Sequence, residues 1–193
     1  MEIESQLARI RFAHALVRDA VYASMPPARR AALHRTSAGL LEPLARVRDE
    51  WAGAVALHWH RAGEPGRSVG WARLAAGVAR AAAAHDETIE YLELALDALD
   101  HQLGDGDAGR DELLRDLARA QYLAGRIQDS IDTCEQAAEA ARRAGRADIV
   151  ARSALVVQGI GDPAINHRVE RLCRQALAQL DDSPAAQAEP TQS

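Results

Sequence analysis

Segment after segment of this chain has the length of a short helix, is built on alanine and leucine at i, i+3 and i+4 spacing, and stops at a turn. That succession leaves little room for anything but packed helices. Gly63-Glu64-Pro65-Gly66 ends one segment, Gly125 and Gly145 two more, and Gly159-Ile160-Gly161-Asp162-Pro163 separates the last pair. With 48% hydrophobic but only 4% aromatic residues, the core has to be made of Ala, Leu and Val. Alanine and leucine enter helices at little conformational cost. No apolar run approaches the roughly 20 residues of a membrane span, and the acidic, arginine-containing N-terminus lacks the form of a signal peptide. Two cysteines, Cys134 and Cys173, suit a reducing compartment, so the expected location is the cytoplasm.

Read along the chain, the pattern predicts an all-α protein. A helix near His14 to Ser24 is ended by Pro26-Pro27, and Pro27 suits the first turn of the next. That second helix, to about Leu41, has Leu33, Ser37, Leu40, Leu41 and Leu44 at helical spacing, with Pro43 ending or kinking it. A third, about Arg48 to Ala62, carries Trp51, Val55 and Trp59. Further helices are expected over Arg67 to Ala84, from His85-Asp86 to about Leu99, Arg110 to Ala124, Ile127 to Ala144, Arg146 to Gln158 and Ala164 to Leu180. Residues 103–109 form a Gly/Asp loop. Strand character is confined to the few residues around Ile10, and 181–193 has too little apolar surface to order.

The helix pairs resemble tetratricopeptide repeats, whose unit is a helix–turn–helix of about 34 residues. Leu114, Leu117 and Ala118 stand at the large–large–small positions of a first helix. Gly125 and Ile127 mark the turn, and Ser130, Cys134 and Ala137 give the small–large–small pattern of the second. Small residues let two helices approach closely, and larger ones fill the neighbouring groove. Thr88, Leu92 and Ala95 stand at the same spacing 42 residues earlier, and Val169, Cys173 and Ala176 follow 39 residues later. These offsets imply longer loops or degenerate repeats. A generic helical array with alanine-rich seams is the other reading of the same residues.

The string from Arg11 to Tyr22 (RFAHALVRDAVY), followed by Pro26-Pro27-Ala28-Arg29-Arg30 and Leu33-His34, resembles a segment of the ATPase-containing LuxR-type transcription regulators of bacteria. These belong to the STAND class of signal-transduction ATPases. In that class the string closes a winged-helix subdomain, and a helical, often tetratricopeptide-like, sensor region follows. The stretch Ala54 to Glu64 (AVALHWHRAGE) is similar to the helix that opens that region. The resemblance implies three parts: residues 1–45 as the end of a winged-helix-like subdomain, 46–180 as the repeat region, and 181–193 as a disordered tail. It also implies partners in the form of the ATPase and DNA-binding modules of a longer regulator. The phosphate-binding pattern G-x-x-x-x-G-K-[ST] is absent, since all 23 basic residues besides histidine are arginine. ATP or ADP is therefore expected only of the parent family, with no cofactor for this chain itself. It is read either as part of a longer frame or as a stand-alone derivative.

By the same resemblance His14 falls where relatives contact the β-phosphate of ADP, whereas the residues alone equally allow a packing anchor at a helix start. Arg29, Arg30 and Arg35 form a basic cluster that could hold an anion or an acidic partner, or lie in solvent. His58 and His60 are two apart, which places them on different helix faces and makes a poor metal pair, so no metal site is expected. Asp105, Asp107 and Asp111 depart from a calcium loop, with no closing Glu. No Ser–His–Asp or Cys–His set stands in a supporting context, so no catalytic residue and no enzyme activity is expected. Residues 1–50 carry net charge +2 and the remainder −7, giving −5 overall, which argues against direct nucleic-acid binding. Two functions remain: a sensor and coupling segment that binds a partner or effector, or an independent adaptor that takes a peptide or helix in its groove. Apolar residues near the N-terminus, Ile10, Phe12, Leu16 and Val17, further suggest self-association through that segment.

Overall fold

A computed structural model describes residues 14–101, 109–158 and 161–181. They form α1 (Ala15–Ser24), α2 (Pro27–Ala45), a 3₁₀ turn (Asp49–Trp51), α3 (Ala52–Arg61), α4 (Pro65–Ala81), α5 (His85–Asp100), α6 (Arg110–Leu123), α7 (Ile127–Arg143), α8 (Ala147–Ala154) and α9 (Pro163–Asp181). Among the described residues there is no strand, and no helix is long and apolar enough to cross a membrane. The extended stretch expected around Ile10, most of the 103–109 loop and nearly all of the tail lie outside the described residues. From α2 to α9 each helix packs mainly on its immediate neighbours in the chain, with lighter contacts between α3 and α5, α6 and α8, and α7 and α9.

One turn design is used four times. The backbone swings to positive φ at Gly63 (73°), Ala83 (55°), Gly125 (77°) and Gly145 (69°). The N–H of the next residue then returns to a carbonyl of the finished helix: Glu64 to Trp59, Ala84 to Ala79, Arg126 to Gln121 and Arg146 to Ala141, at 2.8–3.0 Å. This capping satisfies carbonyls that a helix end leaves bare, and glycine reaches the left-handed region without steric cost. At the second turn alanine takes that role, and the break falls at Ala82–Ala84, ahead of the expected His85-Asp86. The pattern carries over along the chain. The turns at 63 and 83 recur at 125 and 145, and α4 (Pro65–Ala81) recurs 62 residues later as α7 (Ile127–Arg143).

The seam chemistry recurs as well. Ser68 Oγ donates to the Ala56 carbonyl at 3.0 Å, and Ser130 Oγ donates to the Ala118 carbonyl at 2.8 Å. All four residues are wholly buried. Ala118 and Ser130 meet at this closely packed seam, with Cys134 and Ala137 buried behind and Leu117 nearly so. Thr88 instead bonds within its own helix, to the Ala84 carbonyl, so the hydrogen-bonding counterpart of Ser130 is Ser68. Buried side chains from α3 to α6, including Ile89, Leu92, Leu99 and Leu113, make one core cluster. Ile131, Cys134, Ile149, Val150 and Leu172, from α7 to α9, belong to a second.

The second helix corrects the sequence reading. It runs through Pro43 to Ala45, and the carbonyl that proline leaves without a partner belongs to Gly39, which is exposed. Its expected apolar stripe is only in part its buried face. Leu33, Leu40 and Leu44 are exposed (50%, 70% and 45%), whereas His34, Ala38, Glu42 and Ala45 point inward. The cause is the carboxylate of Glu42, which accepts the indole N–H of Trp59 (2.8 Å) and of Trp71 (3.1 Å) and both contacts of Arg67 Nη2 (2.9 and 3.0 Å). Arg67 also stacks 3.6 Å over the Trp59 ring. Two indole donors and a guanidinium compensate the burial of that charge, and α2, α3 and α4 are knotted together.

Candidate partner-binding groove

The expected contact residues at the N-terminal end, His14, Arg29, Arg30 and Arg35, do not converge on one site. His14 is exposed and stands just before α1, where its carbonyl accepts the Arg18 N–H. Arg29 is exposed, Arg30 lies 5.2 Å from the Tyr22 ring centre, and Arg35 is taken by Glu64 (2.9 and 3.0 Å) and the Ala62 carbonyl. What the fold does assemble there is a short polar chain: Tyr22 Oη to His34 Nε2 and His34 Nδ1 to His58 Nδ1, each 2.8 Å. Two Nδ1 atoms can share one hydrogen only when at least one ring is neutral. Burial pushes both histidines below the ordinary range, helped at His34 by His58, Arg61 and Arg30 and at His58 by Arg61. His60, on another face of α3, meets Asp97 of α5 at 3.2 Å.

The larger feature lies on α4, α6 and α8. Positions three and four apart on a helix share a face. Arg73, Gly77 and Arg80 of α4 therefore look out together, as do Asp116, Arg119 and Leu123 of α6. Between them and the start of α5 is a cavity of about 90 Å³ with Ala76, Leu92, Leu113 and Ala120 in its walls. It continues into an open groove of about 810 Å³ toward α8, bordered by Arg115, Tyr122, Arg152, Leu155 and Val156. Tyr122 ties α6 to the segment that follows α8 by donating to the Gln158 carbonyl at 2.7 Å.

The electrostatics of this groove run against those of the whole chain. Arg73, Arg80, Arg115, Arg119 and Arg152 line it, with Asp116 as its acidic member. Asp116 is shared by Arg115 (2.5 Å) and Arg80 (3.7 Å). Arg73 lies 3.6 Å from Glu112, whose carboxyl is held below the usual range chiefly by Arg146 at 2.8 Å. Arg119 and Arg152 are exposed and pair with no acid among the described residues. No protein family, curated protein or solved structure matches the chain.

Chemically, the groove offers planar donor forks over an apolar floor, which suits carboxylates or other oxyanions. Cys134 lies outside the groove, buried beside Ser130, with its thiol pushed up to about 12 by desolvation. Cys173 is half-buried and 3.9 Å from the Ala154 carbonyl. Gly125 and Ile127 serve the turn into α7, and Ser153 bonds its own helix at Ile149. Asp111 lies buried in the first turn of α6, 3.4 Å from Arg146, whereas Asp105 and Asp107 fall outside the described residues. Sequence reading missed the groove arginines because they are contiguous only in space. The seven-residue step from Arg73 to Arg80 and the four-residue step from Arg115 to Arg119 were the available signals.

Proposed function

We propose that this chain is a non-catalytic, tetratricopeptide-like scaffold that binds a partner or effector in the α4–α6–α8 groove. In this reading it couples that occupancy to the neighbouring modules of a STAND-type, LuxR-like transcription regulator. The observation that carries the reading is the groove itself, where Arg119 beside an apolar cavity and Arg152 across the open groove pair with no acid among the described residues of an otherwise acidic protein. The N-terminal string supports the regulator context. So does the outer surface of α1 and α2, where Leu16 is 82% exposed and Val17, Leu33, Leu40 and Leu44 are uncovered, as at a contact with another module or a second copy. Because the groove needs nothing from α1, a free-standing adaptor with the same groove is the second reading.

Mapping the transcript that carries this frame separates the two. An in-frame G-x-x-x-x-G-K-[ST] upstream, or a helix-turn-helix downstream, is expected for the regulator. A transcript encoding this chain with neither overturns that context and leaves the adaptor. The chain alone is predicted to bind ADP no tighter than about millimolar, read by titration calorimetry with magnesium. A single histidine contributes at most about 3 kcal/mol, against roughly 8 for micromolar affinity. Micromolar binding lost in His14→Ala would reverse this.

A further inference from the structure

We infer that the groove takes an acidic segment of a partner protein in which one apolar side chain is flanked by carboxylates. The apolar side chain enters the cavity among α4, α5 and α6, and the carboxylates pair with Arg119 and Arg152. The inference rests on the groove being the binding site proposed above.

Size decides the first half. Sites for whole small molecules hold roughly 300–1,000 Å³. The enclosed part, a cavity of about 90 Å³ walled by Ala76, Leu92, Leu113 and Ala120, is the measure of a single side chain and offers an apolar group more than a polar one, while the open groove of about 810 Å³ beyond it has room for the rest of a segment. Charge decides the second half. Arg80 and Arg115 already share Asp116, so a ligand carboxylate would compete with an internal one there. Arg119, beside the cavity mouth, and Arg152, across the open groove on α8, have no such competitor among the described residues. Each can present a fork of two N–H donors to a carboxylate with no internal pair to break. A nucleic-acid strand fits less well. Its phosphates would track a continuous basic path with bases stacked on aromatic rings, whereas the groove's aromatic residue, Tyr122, is tied through its hydroxyl to Gln158 and the chain carries net charge −5.

The test is selection of a random dodecapeptide library on the full chain, with the exposed double reversal Arg119→Glu/Arg152→Glu as counter-target. Circular dichroism establishes that the reversal leaves the helices intact. Selected peptides are expected to carry Asp or Glu on both sides of a Leu, Ile, Met or Phe. Replacing their acids by Asn and Gln, or the apolar residue by Ser, should weaken binding at least about tenfold, as should the double reversal. Amide shifts on peptide addition should cluster on α6 and α8. Peptides selected without acids, or bound equally by the reversal, whose amide shifts still cluster on α6 and α8 would overturn the acidic inference while leaving the groove reading in place. A single-stranded oligonucleotide that displaces the selected peptides at lower concentration would overturn it in favour of nucleic acid. If the library yields no binder dependent on this face, the groove reading falls together with the inference.

Discussion

Arg168 and Arg119 are both arginines on helix faces that look across at a neighbouring helix, and they meet opposite fates. Arg168 on α9 reaches Glu135 through two contacts (3.0 and 2.7 Å) and Asp132 through a third (2.6 Å), and Arg171 adds a fourth to Glu135. Those hydrogen bonds hold the Glu135 carboxyl below its usual range and raise Arg168 further above its own. Arg119 on α6 faces Arg80, Arg115 and Arg152 across its groove, and the acid in reach, Asp116, is already engaged. Residue type does not separate the two faces. The carboxylates offered by the facing helix do: α7 supplies them to α9, whereas α4 and α8 supply arginines to α6. One face is closed by the chain's own charges and serves packing. The other is left open.

The comparison can be pressed hardest at Glu42, a buried acid that answers an arginine and two indoles at once. Glu42→Leu removes the acceptor of two indole N–H groups and of Arg67, and is expected to cost about 3 kcal/mol, read as a lowered denaturation midpoint. A loss under about 1 kcal/mol would mean that this internal pairing contributes little to holding α2, α3 and α4 together. Next comes acid. With the folded pKa depressed, a group adds stability above its unfolded pKa and that stability falls away as pH drops through the folded value. His34 and His58 should therefore soften the α1–α2–α3 end as pH falls below about 6.5, and Glu135 and Glu112 should follow below about 4.5. Hydrogen exchange across that range checks the order, and a His34→Asn/His58→Asn chain should lose the first step. Smaller still is Glu135→Gln. Its partners are partly exposed, so solvent and salt screen them, and about 1 kcal/mol is expected, shrinking in high salt. Smallest is Arg119→Ala/Arg152→Ala, which should leave stability within about 0.5 kcal/mol in thermal melts. A larger drop would show that these arginines are answered after all.

Much of this architecture could be read from the residues. Glycines at 63, 125 and 145 marked three of the four such turns among the described residues, and the small residues Ala118 and Ser130 are the pair whose side chain and carbonyl meet between α6 and α7. The turn at Ala83 was misplaced because alanine gives no sign of a positive φ; packing imposes it. On α2 leucine spacing was a partial guide: Leu41 packs on the core while Leu33, Leu40 and Leu44 are exposed, and the inward face includes a carboxylate that meets two indoles from α3 and α4. The groove stayed hidden for a related reason. Its arginines come from three helices, and which of them go unpaired depends on where Asp116, Glu112 and Arg146 end up. Local pattern predicts helices and turns. Pairing across helices needs the fold.

Packing of each helix chiefly on its chain neighbours has a consequence for cooperativity. Structure held together by interfaces between successive elements need not melt in a single step, because an end can open without dragging the remainder along. The α1–α2 end and the α8–α9 end can each fray while α4 to α7 stays folded. A ligand seated across α4, α6 and α8 joins elements that otherwise communicate mainly through α5 and α7, and binding free energy then opposes opening anywhere along that span. Under the proposed binding, occupancy would become mechanical continuity: the unbound array would yield piecewise, and the bound one would move as a block.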